Sequence, residues 1–194
     1  MRANDVEATD EAALATVVER AVSGDQEAFG DLYRRFAGRV YGLAKHLLGS
    51  AEAARDAQSE VFLKMQRALA TYDPAQPFSR WLLSVTSHHC LDVLRRRRLE
   101  ARLFVPESEE PAPGVAAPPL RQAVAEERGE EVRQAVDRLA EQYRVPLTLR
   151  YYSELSYDEI AAQLGLTRSH VATLIFRAKQ ELRRMLGAEK ESKR

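Results

Sequence analysis

The chain has 194 residues, 45% apolar and 30% charged, enough for one domain or two small ones with polar segments left over. Its 29 basic and 29 acidic side chains cancel, which argues against tight binding of duplex DNA by bulk attraction. A single cysteine excludes an internal disulfide, and there is neither an apolar run of about 18 residues nor a signal-peptide pattern, so the expectation is a cytoplasmic protein without a membrane span.

Residues 1–10 are polar and lack periodicity, and a loose terminus is expected there. From Glu11, the residues Leu14, Val17, Val18, Ala21 and Val22 mark a short amphipathic helix that Ser23-Gly24-Asp25 ends. Asp25 can cap a second helix, whose apolar face runs Phe29, Leu32, Tyr33, Phe36, Val40, Leu43, Ala44, Leu47 and Leu48 before Gly49-Ser50 stops it and caps the next. A third helix buries Ala54, Ala57, Val61, Met65, Ala68 and Leu69 and turns a mostly acidic edge of Glu52, Asp56, Glu60 and Lys64 outward.

The prolines of Tyr72-Asp73-Pro74-Ala75-Gln76-Pro77 predict a loop, followed by a helix from Phe78 to Arg98. Phe78 and Trp81 open that helix and Arg95 to Arg98 close it. Such a helix suits a polyanion whose bases can be splayed out and packed on rings. A core Phe and Trp with a solvated basic helix end would give the same pattern. His88-His89-Cys90 does not predict a metal site, because adjacent helical residues point about 100° apart. Helices joined by short turns make a compact all-α domain ending near Arg98.

Leu99 to about Gly129 holds five prolines, at 106, 111, 113, 118 and 119, and residues 107–131 carry seven glutamates against two arginines. An extended acidic linker is expected, with helix beginning around Leu120 and secure by Val132. Val132, Ala135, Val136 and Leu139 give one further stripe, and Val145, Leu147, Leu149, Tyr151 and Tyr152 another. Ser156 with Glu159 reads as a capping box, Ile160, Ala161 and Leu164 face inward, and Gly165-Leu166 makes a turn. Thr167 caps a last helix that buries Val171, Leu174, Ile175, Ala178 and Leu182, which completes a helix-turn-helix pattern.

In order and spacing these segments resemble the bacterial extracytoplasmic function (ECF) sigma factors of the sigma-70 family, over roughly Val17 to Leu186. Gly24-Asp25-Gln26-Glu27-Ala28-Phe29 with Leu32-Tyr33 looks like the opening of region two. Leu155 to Ala161, Leu164-Gly165, Val171, Arg177-Ala178-Lys179 and Leu182 look like region four. The resemblance implies two small helical domains, region two over 11–98 and region four over 130–187, joined by a flexible Pro/Glu-rich linker over 99–129. It implies docking on core RNA polymerase through Asp56, Glu60, Phe62 and Leu63, on the clamp of the largest subunit, with a further contact to the flap. Tyr72, Phe78, Trp81, His88, Asp92, Arg95, Arg96 and Arg97 would meet the minus-10 promoter DNA. Thr167, Arg168, Ser169, His170, Thr173 and Arg177 would meet the minus-35 element. An anti-sigma partner is expected by analogy, as are a nucleoid-associated location and tethering at the membrane through that partner.

The chain departs from the family's usual pattern at Ser50, Ala53, Ser59, Gln66 and His88. Ala172-Thr173-Leu174 stands where Lys-Ser-Arg is usual, which implies a weaker phosphate grip. No cofactor, metal or catalytic residue is expected. Two other classes stay open. One is a dimeric regulator that binds duplex DNA through Thr167 to Arg184 without polymerase, with residues 11–98 as a dimerisation or sensor domain. The other is an all-α metal enzyme using Asp56, Glu60 and His88 or His89.

Overall fold

The computed structural model describes residues 3–104 and 124–192, with side chains over 13–101 and 129–186, and these contain helices and turns but no strand. Eight α-helices follow one another: α1 (Ala3–Val22), α2 (Gln26–Leu48), α3 (Ala51–Ala68), α4 (Phe78–Phe104), α5 (Val124–Asp137), α6 (Glu141–Tyr151), α7 (Tyr157–Leu164) and α8 (Arg168–Ser192). A single 3₁₀ turn, Leu69–Thr71, follows α3.

The helix boundaries are set by local chemistry. Asp25 accepts from the Glu27 and Ala28 amides at the start of α2, and Ser50 from Ala53 at the start of α3. Ser156 and Glu159 form the expected capping box on α7, and the Thr167 hydroxyl accepts from the His170 amide at the start of α8. Gly49 ends α2 at φ +71°, where an added Cβ would lie 2.8 Å from the Arg144 guanidinium, so this cap requires glycine both for its backbone and for its space.

Two boundaries differ from expectation. Helix α1 begins at Ala3 rather than Glu11, because the first ten residues include helix formers although they carry no apolar stripe. Helix α4 continues past the arginines to Phe104, whereas α5 is helical from Val124, inside the stretch where helix was expected to begin. Most of the expected linker, residues 105–123, lies outside the described residues.

One buried cluster joins α1–α4 around Leu32, Phe36, Val40, Val61, Met65 and Leu82. A second spans Leu43 and Leu47 of α2, Leu91 and Leu94 of α4, Leu149 of α6, Ile160 of α7 and Ile175 of α8. The two halves of the chain thus share a core, and α2 packs directly on α6. Each fully buried Leu or Ile contributes about 1.5–3 kcal/mol. Of the two tyrosines expected in an apolar stripe, Tyr151 at the end of α6 is 55% exposed, and Tyr152 just past it keeps only its outer part in solvent.

Candidate nucleic-acid interface

Four aromatic residues converge where the loop meets α4. The Phe78 ring is 5.3 Å from Phe36, 5.4 Å from Tyr72 and 5.5 Å from Trp81, and Tyr72 lies 5.4 Å from Trp81. Phe78 is buried, so it backs the cluster rather than offering its own face, whereas Tyr72 and Trp81 are half-buried and do offer surface. The Tyr72 hydroxyl donates to the Gln76 carbonyl at 2.5 Å, and the Ala75 amide donates to Asp73, which together fix the loop. Beside it opens a cavity of about 290 Å³ lined by residues 72 and 74–79 and, from α1, Leu14, Ala15 and Val18. The α1 wall was not foreseen; the apolar spacing of Leu14 and Val18 gave a buried face without naming its neighbour.

From Phe78 to Arg95 the helix rises roughly 26 Å, about the length of eight base pairs. The four arginines at its far end are not equivalent. Arg95 donates to Asp92 at 2.7 Å and to the Gln163 carbonyl at 2.5 Å, and Arg98 donates to Glu141 at 2.5 Å. Arg96 and Arg97 have no hydrogen bond or ion pair among the described residues. They line a groove of about 490 Å³ between α3 and α4, together with Asp56, Glu60, Lys64 and His89.

The His-His-Cys run diverges as helical spacing requires. His88 is exposed, its Nδ1 donating to the Ser84 carbonyl at 2.8 Å and leaving Nε2 to accept from Gln163 at 3.3 Å. His89 is buried and accepts from the Lys64 ammonium at 3.0 Å, while burial and that nearby charge hold its pKa below the ordinary imidazole value. The Cys90 thiol is buried and pushed up to about 12 by desolvation.

Of the residues expected to dock on polymerase, Asp56 and Glu60 are exposed on α3, and Leu63 is 48% exposed. Phe62 is buried, with its ring 4.5 Å from Tyr33, so it supports this surface from beneath. The exposed Tyr33 extends the surface across α2. On α8, Arg168, Ser169, His170, Thr173 and Arg177 all face solvent, while Thr167 caps the helix. Leu174 belongs to the core at 9% exposure, so this position packs inward and offers no contact to a phosphate. Phe176 and Lys179 of α8, with Tyr157 of α7, line a groove of about 460 Å³.

Residues 32–100 match the model of Sigma-70 region 2, and residues 129–182 that of Sigma-70 region 4. The ECF RNA polymerase sigma factor SigE of Mycolicibacterium smegmatis is 34% identical over 188 residues, covering 94% of this chain and 71% of that protein. The chain belongs to the ECF sigma factors. The ECF RNA polymerase sigma-E factor of Escherichia coli K12 is 31% identical, over 86% of this chain and 90% of its own. Among solved structures, CnrH in complex with the cytosolic domain of CnrY aligns at TM-score 0.53 and 25% identity, over 90% of this chain and 97% of that one. RpoE from Bartonella quintana, solved with the anti-sigma factor NepR, shares the fold at TM-score 0.55 and 18% identity, over 82% of this chain and 96% of that one.

As an ECF sigma factor, the chain directs RNA polymerase to promoters. The match to region 2 falls on the residues that a dimeric regulator would have used for dimerisation, and sets that alternative aside.

Proposed function

We propose that the half of the chain up to Arg98 docks on core RNA polymerase and opens the minus-10 element, while residues 130–187 read an upstream element. The observation that carries this is the layout of α4, with an aromatic cradle and a base-sized cavity at one end and four arginines at the other. Melting without ATP requires capture of bases that open transiently. A stacked base contributes about 1–3 kcal/mol, comparable to the few kcal/mol needed to unstack one. Tyr72 and Trp81 supply ring surface, Phe78 braces them, and Arg95, Arg96 and Arg97 with His88 and Asp92 line the route of the strand.

Asp56, Glu60 and Leu63, with Tyr33 beside them, form the face turned to the polymerase clamp; the apolar groove at Phe176 suits the flap. Arg168, Ser169, His170, Thr173 and Arg177 read the minus-35 element, with a grip lightened by Ala172 and Leu174. The protein performs no catalysis itself. Its site is the bacterial cytoplasm, at the nucleoid. The two solved relatives above were captured with partner proteins, one named as an anti-sigma factor, and a partner of that class is proposed here too. No described helix is long and apolar enough to cross a membrane, so tethering there would come from the partner.

The test is run-off transcription with core RNA polymerase on randomised promoter templates, with and without Arg95 to Arg98 changed to alanine. Salt-sensitive initiation by the parent and its loss in the variant are expected. No initiation, together with tight polymerase-free binding to a palindromic duplex, would overturn the proposal.

A further inference from the structure

The groove between α3 and α4 is walled by those two helices alone, and the second half of the chain adds nothing to it. Its cations come from both walls, Lys64 from α3 and Arg96 and Arg97 from α4, and the carboxylates of Asp56 and Glu60 stand among them. Opposite charges face one another across about 490 Å³, yet among the described residues no ion pair joins them. Lys64 departs furthest from habit. Glu60 lies one turn before it on α3, the spacing at which Glu and Lys ordinarily pair. The ammonium turns instead to Nδ1 of the buried His89, at 3.0 Å. An ammonium can only donate, so Nδ1 accepts and the imidazole carries its proton on Nε2 as a further donor. Burial and the charges of Lys64 and Arg96 hold the ring's pKa down against the pull of Glu60 and Asp92.

The chemistry of the walls selects the guest. Three permanent cations and an imidazole N–H are a donor set for phosphate oxygens, strong and without base preference. The apolar part is Ala53, Ala57 and Val93. No Phe, Tyr or Trp lines the groove, and no amide or hydroxyl side chain, so nothing here stacks a base or reads its edge. A nucleotide would leave its base without a contact, whereas a backbone phosphodiester needs none. Position along the helix agrees. From Phe78 the rise is about 16 Å to His89 and about 27 Å to Arg96, or about five and eight base pairs of duplex. The groove therefore lies beyond the bases captured at the aromatic cradle, where the promoter is still paired.

We infer that the α3–α4 groove is a sequence-blind phosphate track, in which Lys64 and His89 at one end and Arg96 and Arg97 at the other hold the backbone of the duplex flanking the captured bases. The inference rests on the proposed assignment of α4 to promoter DNA, and it adds α3 to the DNA-binding surface. His89 acts in it twice, as a donor to phosphate and as the group that keeps Lys64 turned into the groove and away from Glu60. Asp56 and Glu60 oppose the entry of phosphate, so the free chain holds bare duplex weakly.

Lys64 is exposed, so Lys64→Gln tests the track without disturbing the core. Holoenzyme rebuilt with this variant is titrated, at several salt concentrations, onto labelled promoter templates already mismatched over the minus-10 element. Affinity should fall about three- to tenfold, the log–log salt slope should become shallower by about one, and the loss should be the same whatever the flanking sequence. Lys64→Arg should restore both, and the affinity of Lys64→Gln for core polymerase should not fall. A parental slope and affinity in Lys64→Gln overturn the inference, as does a loss that follows weaker core binding or is confined to one flanking sequence. Arg96→Gln combined with Arg97→Gln separates this failure from that of the underlying reading. If the double variant weakens promoter binding while Lys64→Gln does not, α4 keeps its DNA role and the track alone falls. If neither does, the assignment of α4 falls with it.

Discussion

Trp81→Ala separates packing from base capture at the minus-10 site. Trp81 is half-buried, its ring tilted against Tyr72 and Phe78, so its loss removes only part of a core side chain and should cost about 1–2 kcal/mol of stability. If the ring also holds a melted base, the variant loses about 1–3 kcal/mol of opening free energy, or roughly 5- to 150-fold in the open complex. The assay is 2-aminopurine fluorescence at each minus-10 position of the non-template strand, in holoenzyme, beside a thermal melt of the free protein. Leu82→Ala is the control. Leu82 is fully buried one residue away, and its truncation should cost about 2–5 kcal/mol of stability while leaving opening near the parent level wherever the variant is folded. A template already mismatched over the minus-10 element should rescue Trp81→Ala, since its bases need no unstacking. Opening by Trp81→Ala within twofold of the parent, with stability reduced, would refute base capture and leave Trp81 a packing residue.

Asp56→Ala and Glu60→Ala should each leave the melting temperature nearly unchanged and weaken binding to core polymerase by about fivefold, or 1 kcal/mol, by fluorescence anisotropy; unchanged affinity would remove α3 from the docking face. His89 is held below the ordinary imidazole value by burial and by Lys64, so the unfolded chain takes up its proton more readily and stability falls as pH drops through and below about 6.5. His89→Gln should flatten that slope in urea titrations across the same range, and an unaltered slope would show that other groups cause it. Cys90, buried with its thiol pushed up to about 12, should react with a disulfide reagent only as fast as the chain unfolds. Labelling of the folded protein at the rate of free cysteine would contradict this packing.

Much of the fold was legible because each helix states its own limits. Asp25, Ser50, Ser156 and Thr167 were readable as caps, and the stripes from Leu32 to Leu47 and from Val171 to Ala178 have one helical period throughout. Exposure within a stripe was less legible. Phe62 and Phe78 are buried while their neighbours Leu63 and Trp81 keep surface, a difference decided by Tyr33 and Phe36 on a separate helix. Contacts between the halves were not legible at all. His46 sits between Leu43 and Leu47, a polar residue on a buried face, which signals a partner but cannot name Asp137, 91 residues away.

Zero net charge takes on a more specific meaning once the arginines are traced to their partners. Two of the four in the block at the end of α4 are paired with carboxylates within the chain, Arg95 with Asp92 and Arg98 with Glu141, and Arg95 also donates to the Gln163 carbonyl. The other two share a groove with Asp56 and Glu60, the carboxylates proposed to meet the polymerase clamp. A cationic clamp surface that drew those carboxylates to itself would raise the local positive potential at Arg96 and Arg97, and so strengthen their hold on a strand. Docking and DNA binding would then be coupled across the width of one groove. Charge-neutral substitutions at Glu60 and Arg96 should therefore be non-additive in promoter opening, as expected for groups that share an environment, but additive in free-chain stability, since both side chains are exposed.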